Sequence, residues 1–245
     1  MSDAIEATRA DRAALLEICR GLTPAQWQAA SGCPGWSVQD VVAHLATGFW
    51  ATVDQSKLPD ITGQPFERGM EILVESRRGL SPEAVLADYE QVSSTALDQL
   101  PGVAGLDLQI PLGEAGTYPA ALIPHAYAFD HYTHIRADLF APRGALDGEP
   151  PPSDELRVGA TLAWIEAALP QQNTEAAAQA TLELQVTGAG GRMITFGSGP
   201  AKATVTSDGP AFVRWVTQRA GWEDTGVQAS GDEAALAAAR RLRVY

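Results

Sequence analysis

The chain is poor in several things at once: two cysteines, four histidines, few basic residues. It also has no apolar run of the roughly 18 residues that a membrane span needs. Cys19 and Cys33 form no CxxC pair, which argues against a zinc ribbon or a thioredoxin-type centre. The GxSxG elbow, the phosphate-cradling P-loop and the HExxH zinc motif are all missing. The start Met1-Ser-Asp-Ala-Ile-Glu6 lacks a basic stretch followed by an apolar core. No signal peptide is expected there, and the cytoplasm is the default location. Lysine and arginine total 17 against 30 aspartates and glutamates, a formal net charge of −13. That balance is unfavourable for phosphate backbones, so nucleic acid is set aside as a partner. The acid is spread along the chain and reads as solvated surface.

With 45% hydrophobic and 19% charged residues, the 245-residue chain has an ordinary globular composition. It is long enough for one large domain or two modest ones. The first two thirds read as helices. Residues 3–21 place Ile5, Leu15, Leu16, Ile18 and Cys19 on a helical pattern. Thr23-Pro24 marks a second helix start. After the Ser31–Gly35 turn, Ser37-Val-Gln-Asp40 resembles a capping box and predicts a helix from Ser37 to about Ala51. Residues 55–66 read as a loop and 67–78 as a short helix. Ser81-Pro82-Glu83 begins another helix, striped by Val85, Tyr89, Val92, Ala96 and Leu100 and ended by Pro101-Gly102. A loop or extended stretch runs to Tyr118, and the next helix, with Pro124 kinking it or lying in its first turn, ends before Ala141-Pro142.

Gly148-Glu-Pro-Pro-Pro152 is the expected boundary, giving domains over 1–147 and 153–245. Beyond it, Ser153-Asp154 caps a helix to about Leu169. Strands are expected over 181–186, 192–197, 202–207 and 226–230, with helices over 209–220 and 232–242. The Gly188–Gly191 and Gly197–Gly199 stretches read as hairpin turns rather than dinucleotide loops. This is a small α+β layer domain.

Three of the four histidines lie within ten positions: His125, His131 and His134, with Asp130 among them. Asp130 and His134 are four apart, so a helix sets them on one face, roughly 6 Å apart. His44 falls on the apolar side of its own helix. Alone it reads as a core histidine; beside the second cluster it reads as a third ligand. Imidazole and carboxylate suit zinc and related divalent metals, and three ligands with an open fourth position are how catalytic zinc sites are built. The alternative is a hydrogen-bonded Asp–His pair crosslinking the bundle. His131 is read as a surface residue or a substitute ligand, and His125 as a helix-start or surface residue. Cys19 reads as core packing. Cys33, in a turn, reads as a small partly buried residue, with a reactive thiol as the alternative. Trp36, Trp50 and Trp164 are expected as core or pocket walls.

The segment Leu22-Thr-Pro-Ala-Gln-Trp27 … Gly32-Cys-Pro-Gly-Trp36-Ser-Val-Gln-Asp40-Val-Val-Ala-His44-Leu45 resembles the N-terminal signature of mycothiol-dependent maleylpyruvate isomerase-like proteins, within the wider DinB-like metal-binding bundles. The resemblance covers about residues 1–145 and implies a four-helix bundle. The remainder is similar to the sterol-carrier-like α+β domain that follows the bundle in that family. Carried over by motif, His44 matches the first ligand, Asp130 the acid and His134 the last. Aspartate stands where the isomerase pattern has glutamate, which would bring the metal closer to the backbone, weaken it or recruit His131. The resemblance further implies a divalent metal, expected to be zinc, and mycothiol as thiol cosubstrate. The metal would hold the thiol as a thiolate for addition to a small electrophile, followed by isomerisation or S-transfer. A cationic group would be needed beside an anionic substrate; Arg77 and Arg78 are candidates, and Arg136 is expected to face elsewhere. A non-catalytic small-ligand-binding protein with a degenerate metal site and a metal-dependent hydrolase are the competing readings. A monomer or homodimer is expected, with no membrane partner.

Overall fold

Helix α1 (Ser2–Arg20) begins the chain and buries Ala4, Ile5, Ala7, Leu15, Leu16 and Cys19 along one face. The computed structural model describes residues 2–245. The short α2 (Pro24–Trp27) follows, opened by Thr23 in a capping box with Gln26. Helix α3 (Val38–Val53) starts from a second capping box, in which the Ser37 side chain accepts from the Asp40 amide and Asp40 accepts from the Ser37 amide. Each box satisfies two amides that the first turn leaves without partners. α3 is apolar nearly all round and lies at the centre of its unit.

Helix α4 (Phe66–Glu75) is short, and α5 (Pro82–Ala104) is long, with the expected stripe of Val85, Tyr89, Val92, Ala96 and Leu100 buried. α5 does not stop at Pro101-Gly102 as the sequence suggests. Proline there removes the hydrogen bond to the carbonyl four residues back. That carbonyl, of Leu97, accepts from Arg9 Nη2 at 3.2 Å instead, so the helix continues past the proline. Helix α6 (Ile123–Thr133) holds Pro124 in its first turn, where no amide is needed, and is not kinked by it. It runs on into one wider, π-type turn over His134–Leu139. α1 packs on α5 and α6, and α3 packs on α5, giving a bundle of four main helices.

The chain divides into two compact units: Met1–Leu108 with Pro119–Pro152, and Gln109–Tyr118 with Ser153–Tyr245. The segment left as a loop within the first region by sequence thus joins the second unit. It forms a hairpin of β1 (Gln109–Pro111) and β2 (Thr117–Pro119), and Gln171 binds both the amide and the carbonyl of Thr117 at 2.9 Å. Tyr118 is buried with its ring 4.4 Å from Trp164. Trp164 belongs to α7 (Glu155–Gln172), which α8 (Thr174–Gln179) follows.

Four strands make a mixed sheet in the order β4-β3-β5-β6. β3 (Leu182–Thr187) and β4 (Arg192–Phe196) form an antiparallel hairpin with Leu184 opposite Ile194. Gly188 and Gly190 adopt φ of 70° and 72° in the turn, a region where an L side chain is strained. β5 (Ala203–Asp208) runs parallel to β3 and β6 (Gln228–Gly231) antiparallel to β5. Leu182, Leu184 and Val186 alternate inward, and α9 (Gly209–Val216) and α10 (Glu233–Ala239) complete the layer. Among the described residues no helix is long and apolar enough to cross a membrane.

Candidate metal centre

The capping box at Ser37 fixes the start of α3 and so the direction in which His44, seven residues on, leaves that helix. Asp130 and His134 leave the end of α6 one turn apart. The three meet. Nε2 of His44 and Nε2 of His134 each lie 3.3 Å from the same oxygen, Oδ1 of Asp130. One ligand atom from each of the three lies within 4.8 Å of the others. Two ligands about 2.0–2.2 Å from a tetrahedral zinc stand about 3.3 Å apart, whereas a good N–H···O bond is shorter, about 2.9–3.0 Å. The two 3.3 Å spacings are long for hydrogen bonds and match the separation of two ligands on one cation.

Burial shapes the charges here. Desolvation raises the Asp130 carboxyl, but His44 and His134 beside it outweigh that and hold it well below the usual carboxylate range. Desolvation likewise lowers the His134 imidazole, while hydrogen bonds to Asp130, Asp138 and Cys33 lift it well above 6.5. The His44 and His134 side chains are each 12% exposed, leaving a narrow opening to solvent.

The supporting residues come from two places. Asp138, fully buried in the π-type turn, accepts from Nδ1 of His134 at 2.8 Å. That keeps Nδ1 protonated and turns Nε2 toward Asp130, the usual role of a carboxylate behind a metal-binding histidine. The Ser31–Trp36 loop covers the cluster. Its Trp36 ring stands 5.2 Å from the His44 ring and 6.5 Å from the His134 ring, and its Cys33 Sγ lies 3.6 Å from Nδ1 of His134. The Trp36 indole donates to Glu71 at 2.5 Å, and Arg78 ties Glu71 to Asp40. Nδ1 of His44 is buried without a hydrogen-bond partner among the described residues.

His131 needs correcting. It is neither a surface residue nor a substitute ligand: it is fully buried, with Nε2 3.0 Å from the Tyr89 hydroxyl and Nδ1 2.9 Å from the Tyr127 carbonyl. One residue along a helix is a turn of 100°, and that carries His131 round α6 from Asp130 to face Tyr89 and Phe49. Burial lowers its pKa and keeps the imidazole neutral. His125 lies in the first turn of α6, away from the cluster. Arg136 faces elsewhere, as expected, in a bidentate pair with the buried Asp11 at 2.8 and 2.9 Å. Arg77 pairs with Asp88. Arg78 and Arg143 line a cavity of about 870 Å³ with Cys33 and Trp36 in its wall. Asp138, Arg143, Glu71 and the contact of Cys33 with His134 were not anticipated. A signal for Asp138 was present, since Asp130, His134 and Asp138 repeat at a spacing of four.

The sequence profile described as the mycothiol maleylpyruvate isomerase N-terminal domain matches residues 8–140. No curated protein sequence matches the chain. Two solved structures resemble it: the mycothiol-dependent maleylpyruvate isomerase, and a histidine-to-alanine mutant of that enzyme. Each has a TM-score of 0.62 at 16% identity and covers 94% of this chain and 93% of its own. Likeness at that identity establishes the fold.

Proposed function

We propose, from the premise that this chain belongs to the mycothiol maleylpyruvate isomerase N-terminal domain family, that it is a divalent-metal- and mycothiol-dependent enzyme acting on a small electrophilic substrate by thiol addition with isomerisation or S-transfer. The observation that carries this is the convergence of His44 Nε2 and His134 Nε2 on one Asp130 oxygen, both at 3.3 Å. His44, Asp130 and His134 would hold the cation, with zinc the first choice for two imidazoles and a carboxylate. Such a cation lowers the pKa of a bound thiol and supplies a thiolate at neutral pH. The described residues then need no protein nucleophile for the addition.

The remaining roles fall to this chain's own groups. Asp138 holds the proton of His134 on Nδ1 and so orients Nε2. Trp36 roofs both histidine rings and keeps water from them, itself held by Glu71. Arg78 and Arg143, in the wall of the cavity, offer cationic character to an anionic substrate. Arg136 and Arg77 are paired with Asp11 and Asp88 and largely buried, whereas Arg78, though paired with Asp40 and Glu71, keeps 38% of its side chain exposed.

The test is metal content by plasma mass spectrometry on untagged protein beside His44→Ala. About one equivalent of zinc or another divalent metal is expected in the parent and none in the variant. Metal together with turnover that requires mycothiol supports the proposal. Metal with turnover that does not require a thiol would favour the hydrolase reading, and no metal after incubation with zinc would favour a ligand-binding protein.

A further inference from the structure

The His134 ring has two faces of chemistry. Its Nε2 belongs to the set just described, while its Nδ1 faces a second set made of Cys33 Sγ and the Asp138 carboxylate. One ligand atom from each of Cys33, His134 and Asp138 lies within 4.8 Å of the others. A thiolate at about 2.3 Å and an imidazole nitrogen at about 2.0 Å from a tetrahedral ion stand about 3.5 Å apart. The Cys33–His134 separation is 3.6 Å, whereas Asp138 Oδ2 stands at hydrogen-bond distance from Nδ1, 2.8 Å, and would draw back by about half an ångström to share an ion with it.

This second set is preorganised by the backbone. The Gly32 amide donates to the Asp138 carbonyl at 2.7 Å, which ties the cysteine loop to the turn that carries the carboxylate. A side chain at residue 32 would collide there, since a Cβ would lie 2.8 Å from the Asp138 side chain. Arg143 fastens the same loop by donating to the Gly32 carbonyl, with its Nε 3.7 Å from Asp138 Oδ1. The Cys33 amide is held by Ser31 Oγ, and the Trp36 amide by the Cys33 carbonyl. Cys33 also borders the cavity of about 870 Å³, which gives an ion an approach from solvent.

We propose that Cys33, His134 and Asp138 form a second cation position, selective for thiophilic metals and mutually exclusive with the His44–Asp130–His134 set. The selectivity follows from the donors: a thiolate favours soft ions such as cadmium, while two imidazoles and a carboxylate favour borderline ones. The exclusion follows from the shared ring. A neutral imidazole has one lone pair and one N–H. An ion taken at Nδ1 moves the ring proton to Nε2, which then ceases to be a ligand for the inner set. A thiophilic ion in the outer position therefore disarms the inner one. The outer site stands on its own residues, and only the exclusion rests on the proposed function.

The experiment titrates cadmium into the full chain, reading thiolate-to-cadmium absorption in the ultraviolet and counting both metals after desalting. The zinc-loaded parent is expected to exchange its zinc for one cadmium and to gain the thiolate band. His44→Ala should retain no zinc after desalting, because the outer donors hold zinc more weakly than cadmium, yet still bind cadmium with the full band. Cys33→Ser should lose the band and keep its zinc, and Cys19→Ser should behave as the parent. Asp138→Asn should weaken cadmium by at least the roughly tenfold that losing even an outer-shell partner of a metal ligand costs. No band in the parent, a band that survives Cys33→Ser, or cadmium affinity unchanged in Asp138→Asn would overturn the outer site. The last of these would reduce it to a simple surface thiol. Cadmium and zinc bound together would overturn the exclusion. Absence of zinc from the parent, with the cadmium results of His44→Ala intact, would sink the inner site alone.

Discussion

Both units bury hydroxyls, but the helical unit also buries carboxylates and an imidazole. Inside the helical unit lie Asp11, Asp40, His131 and Asp138, all ionisable, together with Gln39 and the hydroxyls of Thr8, Thr47, Ser93 and Thr133. Inside the sheet unit the buried polar residues are Thr161, Thr181, Ser207, Thr217 and Thr225, all hydroxyls. A buried hydroxyl satisfies itself on its own helix or strand, as Thr217 does on the Val213 carbonyl at 2.7 Å. A buried carboxylate requires a partner from a distant part of the chain, because desolvating a charge is expensive. The helical unit accepts that burden at several points, and buried ionisable groups concentrate where chemistry is done. Among the described residues the sheet unit buries no carboxylate or imidazole. The contrast is therefore one of buried charge, which the helical unit holds in several places.

The largest effect should come from cutting one of those distant pairs. Asp11 is 1% exposed and Arg136 holds it with two parallel hydrogen bonds. Asp11→Ala leaves a buried guanidinium without its carboxylate, and should cost roughly 3–5 kcal/mol. Thr217→Val in the sheet unit removes one hydroxyl bonded within its own helix, and should cost no more than about 1 kcal/mol. Denaturant unfolding of both variants measures the difference. Equal losses would remove the distinction between the units.

Asp138→Asn should come next. An amide keeps the shape of the carboxylate and can still accept from His134 Nδ1, but it brings no charge. Zinc affinity should fall about 10–100-fold, or roughly 1.4–2.7 kcal/mol, with the fold retained. Competition with a chelator reads the affinity, and far-ultraviolet circular dichroism reads the fold. An unchanged affinity would show that Asp138 does not orient His134 for the inner set.

Much of this contrast was legible beforehand, and the illegible part has a physical cause. Helices α1, α3 and α5 announce themselves by apolar spacing and by Ser or Thr caps, which are local signals. The meeting of His44 with Asp130 and His134 was reached through the i,i+4 spacing and the family resemblance. The long-range consequences escaped. No local pattern tells that Arg9 takes the carbonyl released by Pro101, nor that residues 109–118 pair with the second unit. His131 looked interchangeable with its neighbours because all three histidines share one short segment; only the packing of α6 against Tyr89 shows which side it faces. Cys33 looked like an isolated loop residue for the same reason, since the bond from Gly32 to Asp138 spans more than a hundred residues.

The smallest effect concerns the two capping boxes, and it isolates how much local structure contributes to the site. Both boxes have the same reciprocal pair of hydrogen bonds, at Thr23 with Gln26 and at Ser37 with Asp40. Thr23 begins a four-residue helix on the surface, whereas Ser37 begins the sixteen-residue helix that carries His44. Ser37→Ala should cost about 1 kcal/mol, and Thr23→Ala about half of that, because so short a helix adds little once its own end frays. The more telling readout is zinc affinity. Asp40, the reciprocal member of the second box, is also held by Arg78, which reaches through Glu71 to the Trp36 indole over His44. Loosening the box at Ser37 should therefore weaken zinc by a few-fold, while loosening the one at Thr23 should leave it unchanged. If both variants lose stability and neither changes zinc affinity, the cap of α3 stabilises the helix without orienting its histidine.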